Sequence, residues 1–143
     1  MNNSKRFPFV ERTNALGLSN VLPFLPVVLT YGTKEVELTA LLDTGSSVNI
    51  MPYDVGGALG AVWEAQTVPI LLSGNLASTE ARGLVVPAKI ADYEPVLLSF
   101  AWTKSNDTPV VFGHTNFFEE FDVSFYRADL AFEISQRTKQ FII

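Results

Sequence analysis

From Glu35 to Leu42 the chain alternates, with Val36, Leu38, Ala40 and Leu42 apolar and Glu35, Glu37 and Thr39 set between them. That period of two predicts a strand with one buried face. The apolar run 26–31 and the turn Gly32-Thr33-Lys34 precede it, so the pair reads as a hairpin. Further apolar runs at 68–72, 83–90, 95–102 and 109–112 predict more strands, and 123–126 with 130–134 flank Arg127-Ala128-Asp129 as a second hairpin. Eight prolines and nine glycines leave few windows for a long helix. One short helix is predicted within 53–66, weakened by Gly56, Gly57 and Gly60. Another starts near Asn116, where Asn116 and Glu119 stand in capping-box register. No internal repeat or low-complexity linker divides the chain. The expectation is a single all-β domain over 1–143, a closed or nearly closed sheet with one or two short helices.

Composition narrows the class of protein. Of 143 residues, 48% are hydrophobic and 17% charged, which argues for a folded domain. The net charge of -5 and the lack of any Lys or Arg run argue against nucleic-acid and anionic-membrane partners. The absence of cysteine excludes disulfides, thiol catalysis and cysteine-ligated metals, and suits a cytoplasmic protein. The N-terminal stretch MNNSKRFPFVERTN has no continuous apolar segment and does not read as a signal peptide. Residues 21–29 are too few to span a bilayer and include Pro23 and Pro26. A soluble protein is expected.

The candidate chemistry lies at the end of the alternating strand. Asp43-Thr44-Gly45-Ser46 follows Ala40-Leu41-Leu42 directly, so its carboxylate sits at the mouth of an apolar strand, withdrawn from water on one side. Gly45 lets the backbone approach closely, and the hydroxyls of Thr44 and Ser46 are placed to fix the loop and bond the carboxylate. Read alone, Asp-Thr-Gly is equally a plain turn after a strand. A second segment separates the readings. Val110-Val111-Phe112-Gly113 is an apolar trio closed by glycine, followed by His114-Thr115-Asn116-Phe117-Phe118. Together LLDTGSS and VVFGHTNFF resemble the aspartic peptidases of retroviral type, the retropepsin-like family, over residues 26–134. The resemblance implies an acid-protease fold with one closed β-barrel lobe per chain, in which Val110, Val111 and Gly113 belong to a strand backing the catalytic loop.

It further implies an aspartic endopeptidase with Asp43 as the catalytic carboxylate and no metal or cofactor. Such enzymes activate a water between two aspartates sharing one proton, one acting as base and the other as acid. This chain has one matching loop. Asp107-Thr108-Pro109 is no second one, because Pro lacks glycine's backbone freedom and its N–H, and Lys104-Ser105-Asn106 ahead of it is polar. The implied active form is a two-fold homodimer with both Asp43 residues at the axis, acting on a peptide or protein substrate. By the same resemblance Thr44 locks the two loops together and Gly45 contacts substrate backbone. Ser46 stands where pepsin-like enzymes carry Ser and some relatives carry Ala. A hydroxyl donating to a carboxylate favours the charged form, which predicts an acidic optimum.

The middle of the chain supplies a candidate flap, a hairpin that closes over bound peptide. Its expected tip is Ser73-Gly74-Asn75-Leu76-Ala77-Ser78, between 68–72 and 83–90. The tip lacks the aromatic of pepsin-like flaps and has one glycine where viral flaps carry several; an ordinary surface turn is the alternative. Ser47 and His114 stand where many viral relatives pair an acidic residue with Arg, and both charges are absent together, so none is stranded. His114 is the chain's sole histidine, which excludes a histidine-cluster metal site. It is expected to act structurally or as a pH-responsive group behind the loop. Phe117, Phe118, Phe121, Phe125 and Phe132 read as core; Trp63 and Trp102 carry no assignment. The apolar tail Phe141-Ile142-Ile143 is expected to pair with a partner chain or to continue into a longer protein. Two rivals stand: the same fold as a dimerisation or peptide-binding module without efficient catalysis, and an unrelated monomeric barrel with a chance Asp-Thr-Gly turn.

Overall fold

A computed structural model describes residues 3–138. The alternating segment is the strand expected of it. Phe24–Tyr31 (β4) and Lys34–Leu42 (β5) pair antiparallel from Phe24↔Leu41 to Tyr31↔Lys34, and Gly32 makes the turn at φ 58°. Leu25, Val27, Leu29, Ala40 and Leu42 face inward and are buried. Asn49–Met51 (β6), Ala81–Lys89 (β7), Val96–Thr103 (β8) and Val110–Phe112 (β9) complete a closed barrel in the order β4-β5-β9-β6-β8-β7. Closure satisfies the backbone of the end strands, which an open sheet would leave unpaired. The interior is filled by large apolar side chains, among them Met51, Leu98, Phe100 and Phe112.

Two short helices accompany the barrel, Tyr53–Ala58 (α1) and Phe117–Glu120 (α2). The glycines that weaken α1 in sequence include one that packing requires. A Cβ on Gly56 would lie 2.1 Å from Cε2 of Trp102, a fully buried ring that also donates to the Tyr53 carbonyl at 3.1 Å. Trp102 and Trp63 thus belong to one aromatic cluster with Tyr53. The capping box at α2 does not form. Asn116 occupies the N-cap position without a side-chain cap, because its amide is engaged elsewhere.

The second hairpin is present as Phe121–Tyr126 (β10) and Ala131–Gln136 (β11), joined by a 3₁₀ turn at Arg127–Asp129. Phe117, Phe121 and Phe132 are buried as expected and Phe118 partly so, whereas Phe125 is 39% exposed, its side of β10 facing away from the core. Three strands near the N-terminus were not signalled by the hydrophobic pattern. Lys5–Pro8 (β1) adds to β11, giving the order β1-β11-β10, and Val10–Thr13 (β2) with Ser19–Leu22 (β3) forms a separate two-stranded hairpin. Residues 68–72 are not a strand. Only a bridge between Pro69 and Arg82, flanked by the hydrogen bonds Ile70 N–H to Ala81 O and Gly83 N–H to Val68 O, ties that run to β7. The tail Phe141-Ile142-Ile143 lies outside the described residues. Among those described, no helix is long and apolar enough to cross a membrane.

Candidate active site

β5 delivers Asp43 to its position, and β9 holds it there. The two strands run parallel with Leu42 opposite Phe112, and the Asp43 N–H donates to the Phe112 carbonyl at 3.0 Å. The chain then turns tightly. Gly45 N–H donates to Asp43 Oδ1 at 2.9 Å, and Ser46 N–H to the Asp43 carbonyl at 3.1 Å. One carboxylate oxygen is therefore fixed by the loop's own backbone.

Ser46 departs from expectation. Its hydroxyl donates to the Val48 carbonyl at 2.7 Å, and a hydroxyl has a single proton to give. It stabilises the loop's exit and does not donate to the Asp43 carboxylate, so the acidic optimum reasoned from that bond loses its premise.

Behind the loop, the segment after β9 lies against it. His114 N–H donates to the Ser46 carbonyl at 3.0 Å, and Thr115 N–H to the Ser47 carbonyl at 2.9 Å. At Gly113 the approach leaves no room for a side chain, since a Cβ would stand 2.3 Å from the Val48 oxygen and 2.6 Å from that of Ser46. Val110 and Val111 on the same strand are buried against the barrel. His114 reaches past this contact, its Nε2 2.8 Å from the Thr44 carbonyl. A carbonyl only accepts, so Nε2 carries the proton. The ring rests on Phe118 at 5.3 Å between centroids. His114 thus donates a hydrogen bond to the Asp-Thr-Gly loop from behind.

Two amides organise this region: Asn49, which no motif had marked, and Asn116, which the sequence had marked only as a helix cap. Asn49 is fully buried, and its Oδ1 accepts from Gly113 N–H at 2.9 Å. Its Nδ2 donates to Ser99 O at 3.0 Å and Asn116 Oδ1 at 3.1 Å. Asn116 in turn accepts from Ser99 N–H and donates to Leu97 O. The two amides knit β6, β8 and the start of α2 around the end of β9. The sequence signal was a lone amide in Val48-Asn49-Ile50-Met51, a polar group that must find partners once buried.

Facing the loop is a pocket of about 250 Å³. Asp43, Gly45, Ser46 and Val48 line one side of it, and Leu71, Leu72 and the expected tip residues Ser73, Gly74, Asn75 and Leu76 line the other. The tip therefore does lie opposite Asp43, but as a 3₁₀ turn over Gly74–Leu76 with Gly74 at φ 68°, carried on an irregular arch. The arch is tied at its base by Ile70 N–H to Ala81 O and by Gly83 N–H to Val68 O. Arg82 adds side-chain hydrogen bonds to the carbonyls of Trp63 (2.8 Å) and Gln66 (3.2 Å), with its guanidinium 4.6 Å from the Trp63 ring centroid. Leu76 is buried and anchors the tip, while Leu71 is 98% exposed. A second pocket of about 300 Å³ shares Val48 with the first and is otherwise walled largely by Val68, Ile70, Leu84, Phe100 and Ala101. No group of three or more His, Asp or Glu side chains converges among the described residues.

A closed barrel, a parallel strand behind an Asp-Thr-Gly loop and an arch over it define the retropepsin-like fold. A crystal structure of a retropepsin-like aspartic protease from Rickettsia conorii superposes with a TM-score of 0.62 at 10% sequence identity, covering 93% of this chain and 92% of that one. At that identity the likeness is one of fold. No protein-family model and no curated protein matches the chain.

Proposed function

We propose that the chain is one subunit of a homodimeric aspartic endopeptidase. The observation that carries this reading is Asp43, held at the end of β5 by the Phe112 carbonyl and by Gly45 N–H, and facing a pocket roofed by residues 71–76. One carboxylate per chain cannot serve as both base and acid, so a second copy supplies the other. Two such carboxylates in contact hold one proton between them, since like charges at that distance cannot both ionise. The ionised Asp43 takes a proton from the bound water, whose oxygen attacks the peptide carbonyl carbon. The protonated Asp43 gives its proton to the carbonyl oxygen. Collapse of the resulting diol breaks the C–N bond and delivers a proton to the leaving amine. Thr44 would tie the two loops across the axis and Gly45 would meet substrate backbone. The apolar pocket beside Val48 favours an extended peptide with apolar side chains near the scissile bond. A cysteine-free chain is in keeping with a cytoplasmic address.

The test is cleavage of a diverse peptide mixture between about pH 3 and 7, with a statine-type transition-state mimic as inhibitor. Asp43→Ala is expected to abolish inhibitor-sensitive cleavage; full activity in a clean preparation of that variant ends the reading. A second reading, a dimerisation or peptide-binding module without efficient catalysis, is favoured by the irregular arch and by Ser47 and His114 in place of an ion pair. It predicts peptide binding with no inhibitor-sensitive cleavage at any pH.

A further inference from the structure

Inside β7, Gly83 has no local reason to be glycine. The strand runs from Ala81 to Lys89, and a glycine within it weakens it, losing more backbone entropy and giving no side chain to pack. Two structural demands would account for the residue, and neither applies. Its φ lies outside the left-handed region that Gly17, Gly32, Gly60 and Gly74 occupy. Nor is there a close approach like those at Gly56 and Gly113. A Cβ on Gly83 would meet Val68 at 3.7 Å and Ile70 at 3.9 Å, which are ordinary contact distances. The fold has room for a side chain here.

What such a side chain would take up is a pocket. Gly83 pairs with Ala101 on β8 and donates its N–H to the Val68 carbonyl at 2.8 Å, so two of the smallest residues lie side by side at the base of the arch. The larger Val68, Ile70 and Val85 stand around them. Together they line the apolar pocket of about 300 Å³ that shares Val48 with the pocket over Asp43. No charged side chain lines it. Even the backbone of Ser99 in its wall is spent, its N–H donating to Asn116 and its carbonyl accepting from Asn49. A polar guest would give up water for few partners, whereas an aliphatic one gains by leaving it.

We infer that Gly83 is a specificity-determining residue: lacking a side chain, it keeps this pocket open for one aliphatic side chain of leucine size on a peptide lying over Asp43. The inference rests on the peptidase reading above and deepens it, from apolar side chains in general to one position and one size. Filling the pocket from the protein's own side makes the same site select a small residue. The sheet tolerates the change, because β-branched residues suit a strand and exposed Val68 has room to give way.

The probes are statine-type peptides that carry Leu or Ala at each position flanking the statine in turn, with binding read by calorimetry and inhibition by peptide cleavage. The natural chain is expected to bind the Leu form more tightly at one position, by about tenfold or more. Gly83→Val is expected to reverse that preference at that position alone, and Gly83→Ala to fall between, neither with a lower melting temperature. A natural chain with no such preference, or a Gly83→Val chain that keeps it, overturns the inference and leaves the peptidase standing. An equal loss of affinity for every probe, with a lower melting temperature in both variants, also overturns it and makes Gly83 a structural requirement of β7. Leu discrimination that depends on Gly83 in a chain that cleaves nothing upholds the pocket and sinks the peptidase. A chain that binds none of the probes overturns both.

Discussion

Below the pocket, residues 43–48 are bound to the end of β9 and the segment after it through backbone hydrogen bonds and through Asn49, whereas above it residues 68–76 hang from backbone bonds at Ile70 and Gly83, with Arg82 holding the carbonyls of Trp63 and Gln66 just ahead of them. The floor has little freedom. Gly113 packs on the Ser46 and Val48 carbonyls closely enough to exclude a methyl group, and the amides of buried Asn49 and half-buried Asn116 are hydrogen-bonded through both oxygen and nitrogen. The roof has few such constraints, and Leu71 is almost wholly in water. The peptidase proposed above would use this asymmetry: reacting groups must stay within small tolerances, while the cover must move to admit a peptide and release products.

The contrast is broken most severely at Gly113. Gly113→Ala places a Cβ within 2.6 Å of two backbone oxygens, neither of which can swing aside as a side chain would. A loss of about 3 kcal/mol in stability is expected by urea denaturation, together with loss of cleavage. A variant as stable and active as the natural chain would mean that the floor is not held as tightly as its geometry implies.

Arg82 tests the other wall. Its guanidinium spans from β7 to the root of the outgoing arch, so Arg82→Ala removes hydrogen bonds to two carbonyls and the stack on Trp63. Stability should fall by only about 1 kcal/mol, but KM should rise severalfold while kcat changes less, because the arch would close over peptide less often. Arg82→Lys, keeping the charge over Trp63 and one donor, should recover part of the effect. Equal losses in stability and in both kinetic constants would make Arg82 a simple structural support.

The floor was largely legible in the sequence and the roof was not, for reasons that follow from the same contrast. LLDTGSS and VVFG are local: each is an apolar strand ending in residues with special backbone demands, and their pairing follows from the resemblance. The amide network was hidden because Asn49, Ser99, Leu97 and Asn116 meet only after β6, β8 and β9 assemble. The apparent capping box failed for that reason, since Asn116 spends its amide on distant carbonyls and N–H groups. Residues 68–72 satisfied a hydrophobic criterion for a strand, but their pairing with β7 does not extend beyond the single bridge at Pro69. β1 was illegible because its partner β11 lies at the far end of the chain, and nothing in Lys5-Arg6-Phe7-Pro8 announces that pairing.

Leu71 gives the smallest effect and the sharpest separation of the two walls. Its side chain is 98% exposed, so Leu71→Ser should alter stability by no more than about 0.5 kcal/mol. Its neighbours Leu72 and Leu76 line the pocket over Asp43, so a closing arch would bring Leu71 down onto peptide or onto the partner's arch. In either case the apolar surface it loses to water in the open state is recovered only on closure. KM should then rise by about threefold to tenfold with the melting temperature unchanged, a separation of binding from stability that no residue of the floor can show. If KM does not move, the exposed leucine is a surface accident and residues 71–76 do not close on substrate.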